Sequence, residues 1–255
     1  IVVRLVGSEM CIRDRSSYRH HLCECRRGIF HDTERSAFAM SCFYRFAQLF
    51  SYFYFKIFHR FEVKGMNNVP LAESFILASN HLSFIDPPAL GCKLPRNLHY
   101  FARDSLFRGP LGFLIRRLNS IPVNRDRLDL KTYRMVLSVL DDGNPLLVFP
   151  EGTRSRDGRL STPQKGIGFL VAKSGVSVLP ARIEGSFEIL GPGRRFPYLG
   201  KKLKVTYGRL LSSEEMKLLE EAENPHQKIA ERIMSAIREI ESVSYTHLRA
   251  HETDY

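Results

Sequence analysis

Short apolar segments alternate with helical segments from residue 60 to about residue 210, and this alternation constrains the fold more than any other feature of the chain. The predicted strands cover residues 61–65, 74–79, 97–102, 120–123, 145–149, 176–185 and 201–209. Helical periodicity or a helix-ending glycine marks residues 105–119, 129–143 and 163–175. Strands that alternate with helices predict an α/β fold with a mixed, mostly parallel sheet flanked by helices.

The most apolar stretch of the chain, residues 37–59, precedes this pattern and is rich in phenylalanine and tyrosine. It contains Arg45 and Lys56, whereas a membrane-spanning helix needs about 20 residues with few charges. Aromatic side chains with sparse cations are typical of a helix that lies in the membrane interface. We therefore predict a membrane-associating helical region over residues 16–60. The alternative is a helix packed on the core of the domain itself.

Changes in sequence pattern also set the expected domain limits. We expect the α/β domain to cover residues 61–211 and a C-terminal helical segment to cover residues 212–243, interrupted near Asn224 and Pro225. Residues 1–15 and 244–255 resemble translated sequencing-adapter read-through and match no helix or strand pattern. They are therefore left out of the fold prediction.

The chain is basic, with a formal net charge of +11 and a sequence pI of about 9.6. Such an excess favours anionic partners, namely nucleic acid, acidic lipid headgroups or phosphorylated small molecules, and composition alone does not choose among them. Five cysteines lie mostly near the N-terminus, without the spacing of a zinc site. The cysteines therefore indicate a reducing compartment, and no metal site is predicted.

The stretch NHLSFIDPPAL at residues 80–90 follows a strand of the buried type and contains the first candidate catalytic pair. In α/β proteins, ligand-binding groups gather at the carboxyl ends of strands. His81 can accept a proton near neutral pH, and the carboxylate of Asp86 can hold its other ring nitrogen. The alternatives are a turn histidine and, for Asp86, a helix N-cap followed by Pro87.

A second polar turn, FPEGTRSRDG at residues 149–158, follows the strand predicted at 145–149. It begins with Glu151. Gly152 allows the backbone to approach a ligand closely, Thr153 offers a hydroxyl, and Arg154 offers a planar fork suited to phosphate. The turn lacks the glycine and lysine spacing of a Walker loop, and the alternative is an exposed charged turn.

A third element, NSIPVNRD at residues 119–126, places Arg125 after a short strand, where it offers a second phosphate contact or is solvated. No GxSxG nucleophile elbow occurs, and nothing marks Ser83 as an activated nucleophile. If His81 is a base, the group it activates is better explained as a hydroxyl of the substrate. This pattern favours transfer to an alcohol over chemistry through an enzyme ester.

Four stretches together resemble the motif blocks of the glycerol-phosphate acyltransferase superfamily: NHLSFIDP, SIPVNRD, FPEGTRS and VSVLPARIEGS, the last at residues 176–186. The first resembles its HX4D motif, a histidine and an aspartate separated by four residues. The order and spacing match over about residues 60–210, and four blocks in order are a specific signal. The chain most closely resembles the 1-acylglycerol-3-phosphate (lysophosphatidate) acyltransferases.

The resemblance implies a role for each matching position. His81 would deprotonate the acceptor hydroxyl, which attacks an acyl thioester, and Asp86 would orient His81. Residues 151–154, with Arg125, would hold the phosphate and glycerol of the acceptor. Many members carry a lysine where this chain has Arg103. Arginine keeps the positive charge but presents a planar guanidinium instead of a compact ammonium group. The donor would be a thioester of CoA or acyl carrier protein, with no metal, no further cofactor and no covalent acyl-enzyme.

The expected enzyme is a 1-acylglycerol-3-phosphate acyltransferase of phospholipid biosynthesis, bound at the cytoplasmic face of a membrane. An anionic acceptor, donor and membrane surface account for the basic charge, and residues 191–204 form a candidate patch for lipid or carrier protein. Nucleic acid is not an expected partner. Two alternatives stay open: an enzyme of the same superfamily acting on glycerol-3-phosphate or another lysophospholipid, and a non-catalytic basic membrane-binding module.

Overall fold

The computed structural model describes residues 30–107, 109–123 and 130–249 of the 255-residue chain. The chain divides after Cys42 into two units, and the unit that begins at Phe43 contains the sheet and the sites discussed below. The described helices are α1 Phe30–His59, α2 Asp86–Gly91, α3 Gly109–Arg116, α4 Leu130–Asp141, α5 Lys165–Ser174, α6 Ser186–Leu190, α7 Ser213–Leu218 and α8 Pro225–Arg249. The strands are β1 Glu62–Lys64, β2 Phe75–Ser79, β3 His99–Arg103, β4 Ser120–Val123, β5 Leu146–Val148, β6 Ser177–Glu184 and β7 Lys204–Tyr207.

The seven strands form one sheet in the order β1-β7-β6-β2-β5-β3-β4. β2 lies between β6 and β5 and is parallel to both, so that Ile76 pairs with Leu146 on one side and with Val178 on the other. β5, β3 and β4 are parallel neighbours, whereas β6 and β7 are antiparallel. The prediction of a mixed, mostly parallel sheet is therefore confirmed, and the carboxyl ends of β2 to β6 lie at one edge of it.

Both faces of the sheet are covered, because successive side chains of a strand point to opposite faces. In β2, Ile76 and Ala78 join a core with α4, α5 and α8, whereas Phe75 and Leu77 join a core with α1, α2 and β7. All five residues of β2 are buried. Burial on both faces explains why this strand is a continuous apolar run in the sequence rather than an alternating one.

One face of α1 packs on the domain through buried polar groups. The hydroxyl of Tyr44 accepts the backbone N–H of Leu98 at 2.9 Å, and Gln48 Nε2 donates to the carbonyl of Gly91 at 2.9 Å. The opposite face exposes the large apolar side chains of Phe46, Leu49, Phe50, Phe53 and Ile57. In the described part of the chain, no helix combines the length and the apolarity that a membrane span requires.

Two helical features differ from the sequence prediction. α6, which follows Gly185, was not predicted, because a helix of five residues is too short to show a periodic pattern. α8 extends to Arg249, past the expected limit at residue 243, because no glycine or proline interrupts residues 226–249. Residues 1–15 and 250–255 lie outside the described part of the chain.

α5 and α8 approach each other closely at Gly168, and this contact generates a stability prediction. A Cβ at Gly168 would lie 1.8 Å from the backbone oxygen of His226, whereas a Cβ at Gly166 meets no heavy atom within 4 Å. Because the backbone must shift, we expect Gly168→Ala to lower the free energy of unfolding by roughly 3 kcal/mol. Gly166→Ala should be neutral or stabilising by up to about 1 kcal/mol. Urea unfolding measures both variants, and equal stabilities would contradict the contact.

Candidate active site

Two loops carry the candidate catalytic residues, and both leave the same edge of the sheet. β2 ends at Ser79 and leads into the His81 loop, which we define as residues 80–85. β5 ends at Val148 and leads into the EGTR loop, which we define as residues 149–164. Because β2 and β5 are parallel neighbours, the two loops begin side by side, in the position where α/β proteins usually bind ligands.

A buried carboxylate orients the imidazole of His81. His81 Nδ1 lies 2.9 Å from Asp86 Oδ2, and Asp86 is fully buried. The same oxygen accepts the backbone N–H of Leu82 at 2.6 Å and that of Ser83 at 2.7 Å. A carboxylate only accepts hydrogen bonds, so it places the ring proton on Nδ1 and leaves a lone pair on Nε2. Asp86 is the first residue of α2 rather than its N-cap, and its carboxylate points back to the His81 loop.

The ring of His81 is also held through one of its faces. The ring of Phe149 stacks on it with 3.8 Å between centroids and an interplanar angle of 12°. The side chain of His81 keeps 11% of its surface accessible. The imidazole is therefore fixed by a hydrogen bond and a stacked ring, yet solvent or a ligand still reaches it.

Glu151 joins the two loops through their backbones. Its Oε1 accepts the N–H of His81 at 3.1 Å, and its Oε2 accepts the N–H of Ser161 at 3.0 Å. The N–H of Ser155 donates in turn to the carbonyl of His81 at 2.8 Å. The buried side chain of Glu151 therefore holds the backbone at His81, and its expected contact with the acceptor stays a prediction.

The next three residues of the EGTR loop are more accessible. Gly152 and Thr153 are exposed, and Gly152 has a φ of +72°, in the left-handed region that favours glycine. The guanidinium carbon of Arg154 lies 3.6 Å from the centroid of the Phe84 ring. Phe84 belongs to the His81 loop, so the structure brings the Arg154 cation to the loop that carries the candidate base.

Two polar side chains of the His81 loop have contacts that the sequence did not reveal. Asn80 donates to the carbonyl of Ile183 and accepts its N–H, both at 2.9 Å, although the two residues are 103 positions apart. The hydroxyl of Ser83 donates to the carbonyl of Leu190 at 2.6 Å. These bonds tie the loop to β6 and α6. Side-chain pairing with such distant backbone groups leaves no local signal in a sequence.

Of the two other predicted cations, the structure describes only Arg103. Arg103 is exposed at the end of β3, at the same edge of the sheet as the loops. Within the described residues, no hydrogen bond or ion pair joins Arg103 to the His81 loop. Arg125 lies outside the described part of the chain, so its phosphate contact stays a prediction.

A cavity of about 530 Å³ borders the His81 loop. Asn80 and Leu82, on either side of the histidine, contribute to its wall, together with Arg159, Arg182 and Arg238. Sequence reasoning missed these arginines, because they come from a loop, a strand and a helix that only the fold brings together. No cluster of three or more potential metal-ligating side chains forms among the described residues.

Comparison with known proteins identifies the domain that carries both loops. A sequence model of the family described as Acyltransferase matches residues 60–184. The matched segment begins just before β1 and ends with β6. It therefore contains the His81 loop, Asp86 and the EGTR loop.

Two curated relatives are similar to the chain over this region. A chloroplastic 1-acyl-sn-glycerol-3-phosphate acyltransferase from Arabidopsis thaliana is 30% identical over 140 residues, which cover 53% of this chain and 39% of the relative. A 1-acyl-sn-glycerol-3-phosphate acyltransferase from Bacillus subtilis is 27% identical over 174 residues, which cover 66% of this chain and 86% of the relative. The chain thus spans about two fifths of the plant protein and most of the bacterial one.

The fold is shared with a solved structure. The 1-acyl-sn-glycerophosphate (LPA) acyltransferase PlsC from Thermotoga maritima matches with a TM-score of 0.65 and 24% sequence identity, over 89% of each chain. That likeness concerns the arrangement of helices and strands, whereas the sequence match covers the segment with both polar loops. Residues 60–184 of this chain therefore form a domain of the acyltransferase family.

Proposed function

We propose that the chain transfers a fatty acyl group from an acyl thioester to the hydroxyl of 1-acylglycerol-3-phosphate, which gives phosphatidate. The observation that carries the proposal is the oriented imidazole of His81, with Nδ1 bonded to Asp86 and Nε2 left to accept a proton. The family match supports acyl transfer, and the names of both curated relatives support this acceptor.

In the proposed step, Nε2 of His81 takes the proton of the acceptor hydroxyl as its oxygen attacks the thioester carbonyl. The tetrahedral intermediate then collapses, the C–S bond breaks, and the imidazolium gives the proton to the departing thiolate. The products are a new ester and the free thiol of CoA or acyl carrier protein. Asp86 stabilises the imidazolium that forms between the two proton transfers.

The side chains around the pair act as positioning residues in this step. Glu151 and Asn80 hold the His81 loop on the EGTR loop and on β6, and both use backbone partners. A reaction slows greatly when a reacting group is misplaced by about 1 Å, so a loop that is held from two sides favours catalysis. Ser83 has its hydroxyl engaged with a carbonyl, which supports the substrate hydroxyl as the nucleophile.

The phosphate of the acceptor is assigned to Arg154. Its guanidinium lies on Phe84 of the His81 loop, and a planar fork can pair with two phosphate oxygens at once. Thr153 and Gly152 are exposed beside it and offer a hydroxyl and a backbone approach. Three arginines and two glutamates, Glu184 and Glu188, line the neighbouring cavity, so the charged side chains of its wall carry a small positive excess, which favours the anionic parts of the acceptor and the donor.

Removal of the base is the main test of the mechanism. We expect His81→Ala to lower kcat by about 10²- to 10⁴-fold, the usual contribution of a general base. The fold should persist, because the bonds to Glu151 and Ser155 use the backbone of His81. The measurement is the release of thiol from an acyl-CoA in the presence of lysophosphatidate.

Ser83→Ala is the matched control, because it removes a hydroxyl from the same loop without touching the imidazole. We expect its kcat to stay within a few-fold of wild type at temperatures well below unfolding. A loss as large as that of His81→Ala would indicate an acyl-serine intermediate. Wild-type protein that binds vesicles but releases no thiol would support the non-catalytic module instead.

Substitution of Arg154 tests the phosphate assignment. Loss of a charge-assisted hydrogen-bond pair costs about 1.5–3 kcal/mol, so Arg154→Ala should raise KM for lysophosphatidate about 10- to 100-fold with little change in kcat. Arg154→Lys should have a KM between those of wild type and Arg154→Ala, because lysine keeps the positive charge but lacks the planar guanidinium. Glycerol-3-phosphate and a lysophospholipid with a larger headgroup are assayed in parallel. An equal effect on an acceptor without a terminal phosphate would contradict the assignment.

The exposed face of α1 supports a membrane location for this chemistry, and we propose the cytoplasmic face because the thioester donors are found there. Phe46 and Phe50 are 67% and 65% exposed, and Ile57 is 70% exposed on the same helix. Contiguous apolar surface on a folded domain marks an interaction site. α1 then lies in the headgroup region with one face in the bilayer and the other on the domain.

Vesicle binding tests the role of α1. Each phenylalanine contributes up to about 2 kcal/mol when it leaves water, so Phe46→Ser combined with Phe50→Ser should weaken partitioning onto phospholipid vesicles at least tenfold. The melting temperature should not fall, because both side chains are exposed. Leu218→Ser, at a 73% exposed residue of α7, serves as the control and should bind as wild type. Unchanged partitioning of the α1 variant would contradict the proposal.

A further inference from the structure

A second apolar surface lies in the segment between α6 and β7, which we call the 191–203 loop. Three large side chains are unusually accessible there, with Phe196 at 77%, Tyr198 at 58% and Leu199 at 59%. Four exposed cations flank them: Arg194, Arg195, Lys201 and Lys202. Because they are exposed, neither these three side chains nor the surrounding cations pack in the core of the domain.

Hydrogen bonds and side-chain contacts give the 191–203 loop a defined conformation. The N–H of Tyr198 donates to the carbonyl of Ile189 at 2.9 Å, and the guanidinium of Arg194 lies 4.6 Å from the centroid of the Tyr198 ring. Lys202 pairs with Glu62 of β1 at 2.9 Å. Because internal contacts hold the backbone, the exposure of Phe196 and Leu199 is a property of the fold.

Both ends of the loop are tied to surfaces already assigned. Just before the loop begins, the carbonyl of Leu190, the last residue of α6, accepts the hydroxyl of Ser83 in the His81 loop at 2.6 Å. At its end, the N–H of Gly200 donates to the carbonyl of Phe58 at 2.8 Å, in the last turn of α1. The loop therefore lies between the last turn of α1 and the His81 loop.

We propose that the 191–203 loop docks on an anionic lipid surface, with Phe196 and Leu199 in the bilayer interface and Arg195 and Lys201 on lipid phosphates. The proposal extends the proposed function, because a lipid acceptor resides in such a surface. Aromatic side chains suit the headgroup boundary, and cations near an acidic leaflet are attracted to it. An acidic carrier protein would be drawn to the cations but would not account for three exposed apolar side chains beside them.

The test uses the full chain and two loop variants. The apolar variant combines Phe196→Ser and Leu199→Ser, and the charge variant combines Arg195→Ser and Lys201→Ser. Arg194 and Lys202 are left in place because their contacts help to fold the loop. The controls are Leu71→Ser, at a 74% exposed residue before the amino end of β2, and Lys173→Ser, at an exposed residue before the amino end of β6. Both controls lie at the sheet edge opposite the candidate site.

Binding is measured on vesicles of phosphatidylcholine alone and of phosphatidylcholine mixed with phosphatidylglycerol. The apolar variant should bind both about tenfold or more weakly. The charge variant should bind only the anionic vesicles more weakly, by about 30-fold for two cations, and added salt should abolish that difference. The controls should match wild type, and all variants should melt at the wild-type temperature.

Two results would overturn the proposal. The first is that both loop variants bind vesicles as tightly as wild type in an assay that does show weaker binding by the α1 variant. The second is unchanged vesicle binding together with lower turnover of an acyl carrier protein thioester but not of acyl-CoA, which would assign the loop to the carrier protein. Turnover of a short-chain, water-soluble lysophosphatidate by wild type is measured separately. If this turnover is absent, the proposed function is wrong. The vesicle-binding data test only the role of the 191–203 loop.

Discussion

The candidate site depends on one buried oxygen atom. Asp86 Oδ2 accepts a ring N–H from His81 and the backbone N–H groups of Leu82 and Ser83. A charged carboxylate away from water is costly unless hydrogen bonds satisfy it, so these bonds stabilise the carboxylate and shape the turn together. The same interaction sets the tautomer of the imidazole. Glu151 also holds the turn by accepting the N–H of His81.

The two surfaces proposed to bind lipid are linked to this turn by hydrogen bonds. The hydroxyl of Ser83 bonds to Leu190, the residue before the 191–203 loop, and Gly200 of that loop bonds to Phe58 in the last turn of α1. A membrane that contacts the exposed face of α1 and the loop would lie close to the His81 loop. The basic charge of the chain would attract an anionic membrane to the same surface.

Much of the fold and the pairing of His81 with Asp86 could be predicted from the sequence, because the patterns that indicate them are local. β2 and β5 are short apolar runs, and the glycine that ends α5 has the left-handed conformation expected of a helix stop. His81 and Asp86 lie close in the sequence, within one turn. Glu151 was recognised as a member of a motif, but its role in holding the backbone was not, because its partner His81 is 70 residues away.

The sequence by itself determined the α/β class and the sheet type, and it predicted His81 as the candidate base with Asp86 as its partner, since periodicity and short spacings survive in a linear chain. Only the tertiary structure decided what converges on that base. Phe149 stacks on the imidazole because β5 is the neighbour of β2, and Asn80 binds Ile183 because β6 is its other neighbour. The order of strands in a sheet follows from packing over the whole domain. No local pattern of residues carries that information.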